Sequence, residues 1–428
     1  MKKALCIAVT ILSTLALVSC GGKKDQGNEE FKPSLDTEAS CEIKVVGDYS
    51  NFEALEAEFD RFNEYYPNVV LSYEKVDDYS NNLGTVLEGK DKPNIFFSYA
   101  AWMAGDAKYA SIVSHMEDLS DPALKINLNC IRDGLINRDK DCKTFLVPVF
   151  SRTFGALVND DLFMKEGISV PTTWDELLSV GEAFVDKGYK SPMMGYTLKY
   201  SNCLMYVVAY PAFVASLAKN PEALELANNL DSSAGQYMRE ALDKVDQLVS
   251  NDVIDIDECD GITDNYEKFL LRFFEGDVPM MSCTGDTVSG RKKREAKSEA
   301  FQKSPFNYSY LPVPLTDKGG YFIDSPSVEF SVNKDCDNLD MTNEFMRFLI
   351  RNEELKTLAS GKGFINSTKN APFDEIYAPF AKIPAERTFS PEVIGVKDQI
   401  VKQLRVASFK VGRGDLSVDE AVANYGKF

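Results

Sequence analysis

The chain has 428 residues, more than one hydrophobic core usually serves, so two or three domains are expected. With 44% hydrophobic and 26% charged residues it belongs to the globular class, not the disordered one. Lysine and arginine number 47 against 66 acids, and the resulting net charge of −19 repels nucleic acid and anionic lipid headgroups, excluding nucleic acid as a partner.

At the amino terminus Lys2 and Lys3 precede an apolar run, residues 4–18, that ends at Leu17, Val18, Ser19 and Cys20. This is the shape of an export signal, residues 1–19, and the run is short for a spanning helix. A cysteine directly after it, followed by Gly21 and Gly22, resembles a bacterial lipobox, in which Cys20 is lipidated and becomes the first residue. The alternative is ordinary secretion with a free Cys20 thiol. More than one acyl chain on Cys20 would hold the protein stably to a membrane. Residues 20–40 have few apolar side chains and no period, so they read as a flexible tether spanning roughly 25 Å.

The body opens with a strand, residues 42–46, whose exit carries Asp48 and Tyr49. Ser50 and Glu53 have the spacing of a capping box for a helix marked by Phe52, Leu55, Phe59, Phe62 and Tyr66 and ended by Pro67. Residues 69–73 form the next strand, residues 82–87 a helical stretch, and residues 94–97 a third strand with Tyr99 and Trp102 in its exit loop. Strand, helix and strand in this order predict a parallel α/β sheet, whose ligands lie beyond the carboxyl ends of its strands. Asp48, Tyr49, Tyr99 and Trp102 stand on that edge; packing is the alternative for each aromatic.

Residues 146–178, LVPVFSRTFGALVNDDLFMKEGISVPTTWDELL, organise the rest. Residues 146–158 suit a half-buried extended segment, and Arg152 lies inside it. A guanidinium there must pair with an acid of its own lobe or meet a ligand, because an unpaired buried charge is too costly to keep. Thr173 and Glu176 then form a capping box ahead of a helix stopped by Gly188.

Residues 191–202 make a loop with Tyr196, Lys199 and Tyr200. An apolar helix, residues 204–217, follows and is broken at Asn220 and Pro221. Two further helices, residues 234–249 and 265–274, lead to a short strand, residues 278–282, whose exit loop presents Thr284 and Asp286. The basic run 291–294 is followed by Glu295 and Glu299 and reads as a solvated helix face. Residues 319–326, containing Asp324, are a turn-rich return ahead of a strand, residues 328–333, and a helix, residues 343–350.

Chemistry beyond binding finds little support. The single histidine, His115, excludes a histidine triad or multi-histidine metal site, and no P-loop, G-x-S-x-G or G-x-G-x-x-G run occurs. Residues 256–267 mimic a calcium loop but place Ile256 at the first ligand position, so no metal is expected. Seven of the nine cysteines lie beyond the leader and Cys20; Cys130 and Cys142 are the most plausible bridge, while Cys41, Cys203, Cys259, Cys283 and Cys336 could equally be small buried hydrophobes.

The block NDDLFMKEGISVPTTWDELL, with residues 273–281 (FFEGDVPMM), 308–314, 332–350 and 417–421 (SVDEA), resembles the extracellular solute-binding proteins of carbohydrate ABC importers, the maltose-binding type. The resemblance implies an α/β, two-lobed periplasmic-binding-protein-like fold with discontinuous domains and a hinge. Lobe I would comprise residues 41–149 plus 328–354, and lobe II residues 153–326 plus 360–428, with the last crossing near 360–364. It implies a monomeric binder without cofactor or catalysis, lipid-anchored on the extracytoplasmic side of the cell membrane, that takes a carbohydrate ligand and meets permease subunits. The expected ligand contacts are Asp48, Tyr49, Tyr99, Trp102, Arg152, Lys199, Tyr200, Thr284, Asp286 and Asp324. Where relatives often place a stacking Trp, this chain has Asp286, leaving Trp102, Tyr99, Tyr196 and Tyr200 as platforms. Competing readings are a glycerol-phosphate binder using Arg152 and Lys199, a ligand sensor, and an extracellular carbohydrate-active enzyme.

Overall fold

A computed structural model describes residues 30–104, 107–197, 204–262 and 266–428. Cys20, Lys199, Tyr200 and Cys203 lie outside the described residues. In chain order the strands are β1 (Cys41–Gly47), β2 (Val69–Lys75), β3 (Ile95–Ser98), β4 (Val147–Arg152), β5 (Phe154–Asn159), β6 (Met193–Met194), β7 (Met280–Thr284), β8 (Tyr308–Leu311), β9 (Phe322–Ile323), β10 (Ser325–Val332), β11 (Ile365–Asn366) and β12 (Thr388–Phe389).

They form two principal sheets. The first has the order β11-β4-β10-β3-β1-β2 and the second β6-β7-β5-β8, with a separate two-stranded pairing of β12 and β9. The apolar run Ile95, Phe96, Phe97 is buried throughout, as expected for a strand covered on both faces. The helices Glu53–Asn63 and Tyr79–Glu88 connect β1, β2 and β3, which pair in parallel; β10 returns antiparallel to both β3 and β4. The carboxyl ends of β1 and β3 therefore share one edge. Gly47 sits where β1 leaves the sheet, and a Cβ there would stand 2.7 Å from the Phe97 ring, so only glycine lets the chain turn into Asp48 and Tyr49 at this point.

Each sheet builds its own core, and the chain passes between the cores three times. Phe150 belongs to the first and Phe154 to the second; Ile323 to the second and Val328 to the first; Phe364 to the first and Ile365 to the second. The helix Asn352–Lys362 buries Leu355, Leu358 and Ala359 in the first core. The first lobe thus continues to residue 364, beyond the expected 354, because this helix turns its apolar face to β4 and the helix Glu53–Asn63.

The capping box in residues 172–176 forms as read: Thr173 caps the helix Trp174–Val185 and accepts from the Glu176 N–H, while the Glu176 carboxylate accepts from Thr172 and Thr173. The Ser50 box does not. Phe52 takes the cap position without a side-chain bond, because its fully buried ring is held among Tyr49, Tyr73, Phe97 and Phe150. Part of the expected tether is built into the first lobe. Phe31 is 4% exposed, packed on Phe62, Tyr65 and Phe348 beneath the Arg347 guanidinium, and Ser34 donates from N and Oγ to Glu344. Six described cysteines, including Cys130 and Cys142, are free thiols. The bridge fails because Cys130 is buried with its thiol toward the Ile350 carbonyl, whereas Cys142 is exposed on a turn.

Candidate functional site

The end of β4 delivers Arg152 to the first crossing, opposite Ser325 at the start of β10. Its guanidinium reaches the second lobe: Nη1 donates to Asp286 Oδ2 at 2.7 Å, and Ser327 Oγ donates to the other oxygen at 3.1 Å. Arg152 thus pairs with an acid of the opposite lobe, not of its own. Asp286 is the second residue of a short helix, Gly285–Ser289, and so departs from the expected loop. Gly285 makes the approach possible, since a Cβ there would be 3.0 Å from Arg152 Cβ and 3.1 Å from the Thr153 nitrogen. Thr284 ends β7 at that helix's cap position without a side-chain cap bond.

From the first lobe, Tyr99 Oη donates to Asp48 Oδ2 at 3.1 Å, and Tyr73 Oη donates to the Tyr49 carbonyl at 3.0 Å. The Tyr49 ring stands edge-on to Phe52 and Phe97, with Lys362 Nζ 4.1 Å from its centroid. Burial pushes the Tyr49 phenol far above its ordinary value, and Asp286, Asp48 and Tyr99 add to that while Arg152 opposes it. The Tyr99 phenol is raised first by burial, then by Asp48, and Arg152 opposes again. Both tyrosines are therefore within electrostatic reach of Arg152. Asp286 beside Arg152 holds the guanidinium firmly in its charged form.

The remaining expected residues are taken up in packing and pairing, Trp102 directly against Tyr99 with ring centroids 5.0 Å apart. Trp102 is 3% exposed, stacked on Tyr109 at 5.3 Å and on Tyr79 at 6.3 Å, so it is part of the first core and presents no open face. Tyr196 is fully buried and stacked on Phe409 at 5.1 Å in the second lobe. Asp324 is buried in a two-pronged ion pair with Arg132, at 2.7 Å to Nε and 2.9 Å to Nη2. Its carboxylate serves the hinge.

The sequence reading missed a second set of groups. Tyr206 and Tyr210 lie on the helix Met205–Ala218, with the Arg405 guanidinium 4.4 Å over the Tyr206 ring and Phe154 edge-on to both tyrosines. The electrostatics of Tyr210 involve Glu392, Tyr206 and Arg152, which places this wall beside the crossing. Glu329 of β10 and Glu392 of the short helix Pro391–Ile394 bring carboxyl groups from the two sides. Glu329 carried the same signal as Arg152, a charged residue inside an apolar strand. The tyrosines were hidden in an apolar run that reads as core.

Among the described residues no group of three His, Cys, Asp or Glu side chains is placed to hold a metal, and no helix is long and apolar enough to cross a membrane. Residues 256–261 of the calcium-loop mimic are the helix Ile256–Gly261. The His115 ring lies 2.7 Å from Asp335, remote in the chain from these groups.

Residues 47–356 match the model of the bacterial extracellular solute-binding proteins. The chain belongs to that family. Among solved structures, this solute-binding protein is similar to apo RafE from Streptococcus pneumoniae, with TM-score 0.68, 16% identity, and coverage of 93% of this chain and 98% of that one. A family 1 extracellular solute-binding protein from Bifidobacterium longum subsp. infantis gives 0.66, 16%, 91% and 98%. The cyclic alpha-maltosyl-1,6-maltose binding protein from Arthrobacter globiformis gives 0.65, 17%, 91% and 98%. At such identities the likeness establishes the two-lobed fold of these binders and no more. No curated protein matches the chain in sequence. Proteins of this extracellular family bind solutes and are not enzymes.

Proposed function

We propose that this protein is the substrate-binding lipoprotein of an ABC importer, which captures a sugar or oligosaccharide between its lobes and delivers it to a membrane permease. The observation that carries the reading is the Arg152–Asp286 pair spanning the two lobes beside Tyr49 and Tyr99. Sugars display hydroxyl groups around an apolar ring face, and a site that joins aromatic surface to carboxylate and guanidinium groups suits both. The solved neighbours include RafE in complex with raffinose and a Bacillus licheniformis sugar transporter in complex with stachyose, which supports the same ligand class.

A phosphate ligand fits less well. Arg152 is already engaged by Asp286, and the Glu392 carboxyl lies within electrostatic reach of it as well. Calorimetry with raffinose, stachyose, maltooligosaccharide, xylooligosaccharide, chitin oligosaccharide and glycerol 3-phosphate tests the reading. Binding of a saccharide that is recovered unchanged is the expected result; tighter binding of the phosphate, or hydrolysis of the sugar, would sink it. Anchoring through Cys20 belongs to the same proposal. Cys20→Ala should release the protein into the soluble fraction, and membrane association that survives the substitution would remove the lipid anchor from the scheme.

A further inference from the structure

Glu329 is 3% exposed and lies in β10, among residues that pair with β3 and β4. Its Oε2 accepts from the Ala100 N–H at 2.8 Å, in the loop leaving β3. Its Oε1 is closed off from solvent and has no hydrogen-bond partner. Glu392 repeats the pattern from the second lobe: Oε1 accepts from Ser325 Oγ, while Oε2 is enclosed without a partner. The Nε of Arg152 is a third such atom. Buried polar atoms are nearly always hydrogen-bonded, and leaving one unmade costs about 1–3 kcal/mol. Three of them converge on the crossing: Glu392 influences both Glu329 and Arg152 electrostatically.

We propose that Glu329 and Glu392 contact the ligand and together read one hydroxyl group of an uncharged saccharide, Glu329 Oε1 donating to it and Glu392 Oε2 accepting from it. This inference rests on the saccharide reading above and adds which groups recognise the sugar and in which protonation state.

The donor role follows from two facts. Burial, reinforced by Glu392, pushes the Glu329 carboxyl up to about 8, so at neutral pH it carries a proton. Oε2 already accepts from Ala100, which leaves the proton for Oε1. A sugar hydroxyl both accepts and donates, and so fits between a protonated and an accepting carboxyl group. The other charged and titratable groups around the crossing are Arg152 with Asp286, Asp48 with Tyr99, Tyr49 under Lys362, Tyr206 under Arg405, and Arg132 with Asp324. Each of these is paired or stacked with another member of the set. Burial raises the Glu392 carboxyl too, but the bond from Ser325 and the Arg152 charge oppose that and favour its accepting form, whereas Glu329 has only a backbone amide.

Linkage gives the sign of the pH effect. Above about pH 8 the free protein has lost the Glu329 proton and must regain it to bind, so affinity should fall by up to about tenfold per pH unit. A cationic ligand would show the opposite slope.

The test uses the full mature chain and the tightest-binding saccharide of the panel, titrated calorimetrically from about pH 6 to about pH 10. Wild type should lose affinity above about pH 8. Glu329→Gln, which keeps a donor and an acceptor but does not titrate, should bind nearly as well as wild type and lose the alkaline fall. Glu329→Ala and Glu392→Ala should each weaken binding by about ten- to a hundredfold. If Glu329 only caps the Ala100 amide, Glu329→Ala lowers the melting temperature with affinity intact, and the proposal is overturned. A flat wild-type profile, or an alkaline fall that persists in Glu329→Gln, overturns it as well, and these two readings decide even where the alanine variants do not fold. Each of those results leaves the saccharide reading standing, whereas a panel with no bound sugar removes both.

Discussion

The Arg152 guanidinium gives one N–H to Asp286 and keeps an enclosed Nε without a partner, so it retains hydrogen-bonding capacity aimed into the crossing. Its side chain is still 38% exposed, which is why the pair with Asp286 alone contributes little stability in water. Arg152→Ala should therefore leave the melting temperature nearly unchanged and weaken saccharide binding by about 1.5–3 kcal/mol, because a charge-assisted bond to the ligand is lost. Trp102→Ala should do the reverse. That indole fills the first core between tyrosines, and its removal should cost about 3–5 kcal/mol in chemical denaturation with a smaller effect on affinity at temperatures where the variant is folded. In the sequence both residues are conspicuous side chains beside an apolar strand. What separates them is the side to which each turns after the strand ends, and that is set by the partner each finds: the distant Asp286 for Arg152, but the nearby Tyr79 and Tyr109 for Trp102. Glu329 shows the converse, a residue whose chemistry was legible by the rule applied to Arg152 and whose neighbour Glu392 was not.

Among the connecting elements, one arginine holds all three crossings. Arg132 bonds Asp324 in the second, donates from Nη2 to Ser151 Oγ in the first at 2.8 Å, and donates from Nη1 to the Asn366 and Thr368 carbonyls in the third, with its face on Phe373. Removing one partner leaves the other buried without compensation. Arg132→Met should destabilise the protein by about 3–5 kcal/mol in urea, and adding Asp324→Leu should recover much of that loss, since the uncompensated carboxylate is then gone. If the double variant were no more stable than the single one, the carbonyl contacts of Arg132 would be its main role. The longer strands and the most periodic helices could be read from the sequence, and the return through residues 319–326 from its turn residues, while the two-residue strands and the helices Pro221–Asn228, Asn352–Lys362 and Asp398–Gly412 were not. The clasp could not, since Arg132 and Asp324 stand 192 residues apart and each lies in irregular structure. The end of the first lobe was misplaced for a related reason: the apolar stripe of the helix Asn352–Lys362 fits a core, and nothing in the stripe says which one.

At the scale of the molecule, two separate cores between which the chain crosses in the segments 150–154, 323–328 and 364–365 form the arrangement in which one lobe can rotate against the other. Each crossing contains an extended strand end, and strand ends absorb a change of backbone angle without disturbing either core. The groups proposed to meet the ligand come from both sides of these segments: Asp48, Tyr49, Tyr99 and Glu329 from the first lobe, Asp286 and Glu392 from the second. A sugar that bonds to both sets favours whichever rotation brings them together, by as much as its affinity differs between the two arrangements. Small-angle scattering should therefore show a smaller radius of gyration with the bound saccharide than without it. Arg152→Ala should shift the sugar concentration needed for that change without altering its extent, because the residue contributes to the contact and not to either core. A radius of gyration unaffected by saturating sugar would mean that the lobes are already in their binding arrangement, and the hinge would then have no part in capture.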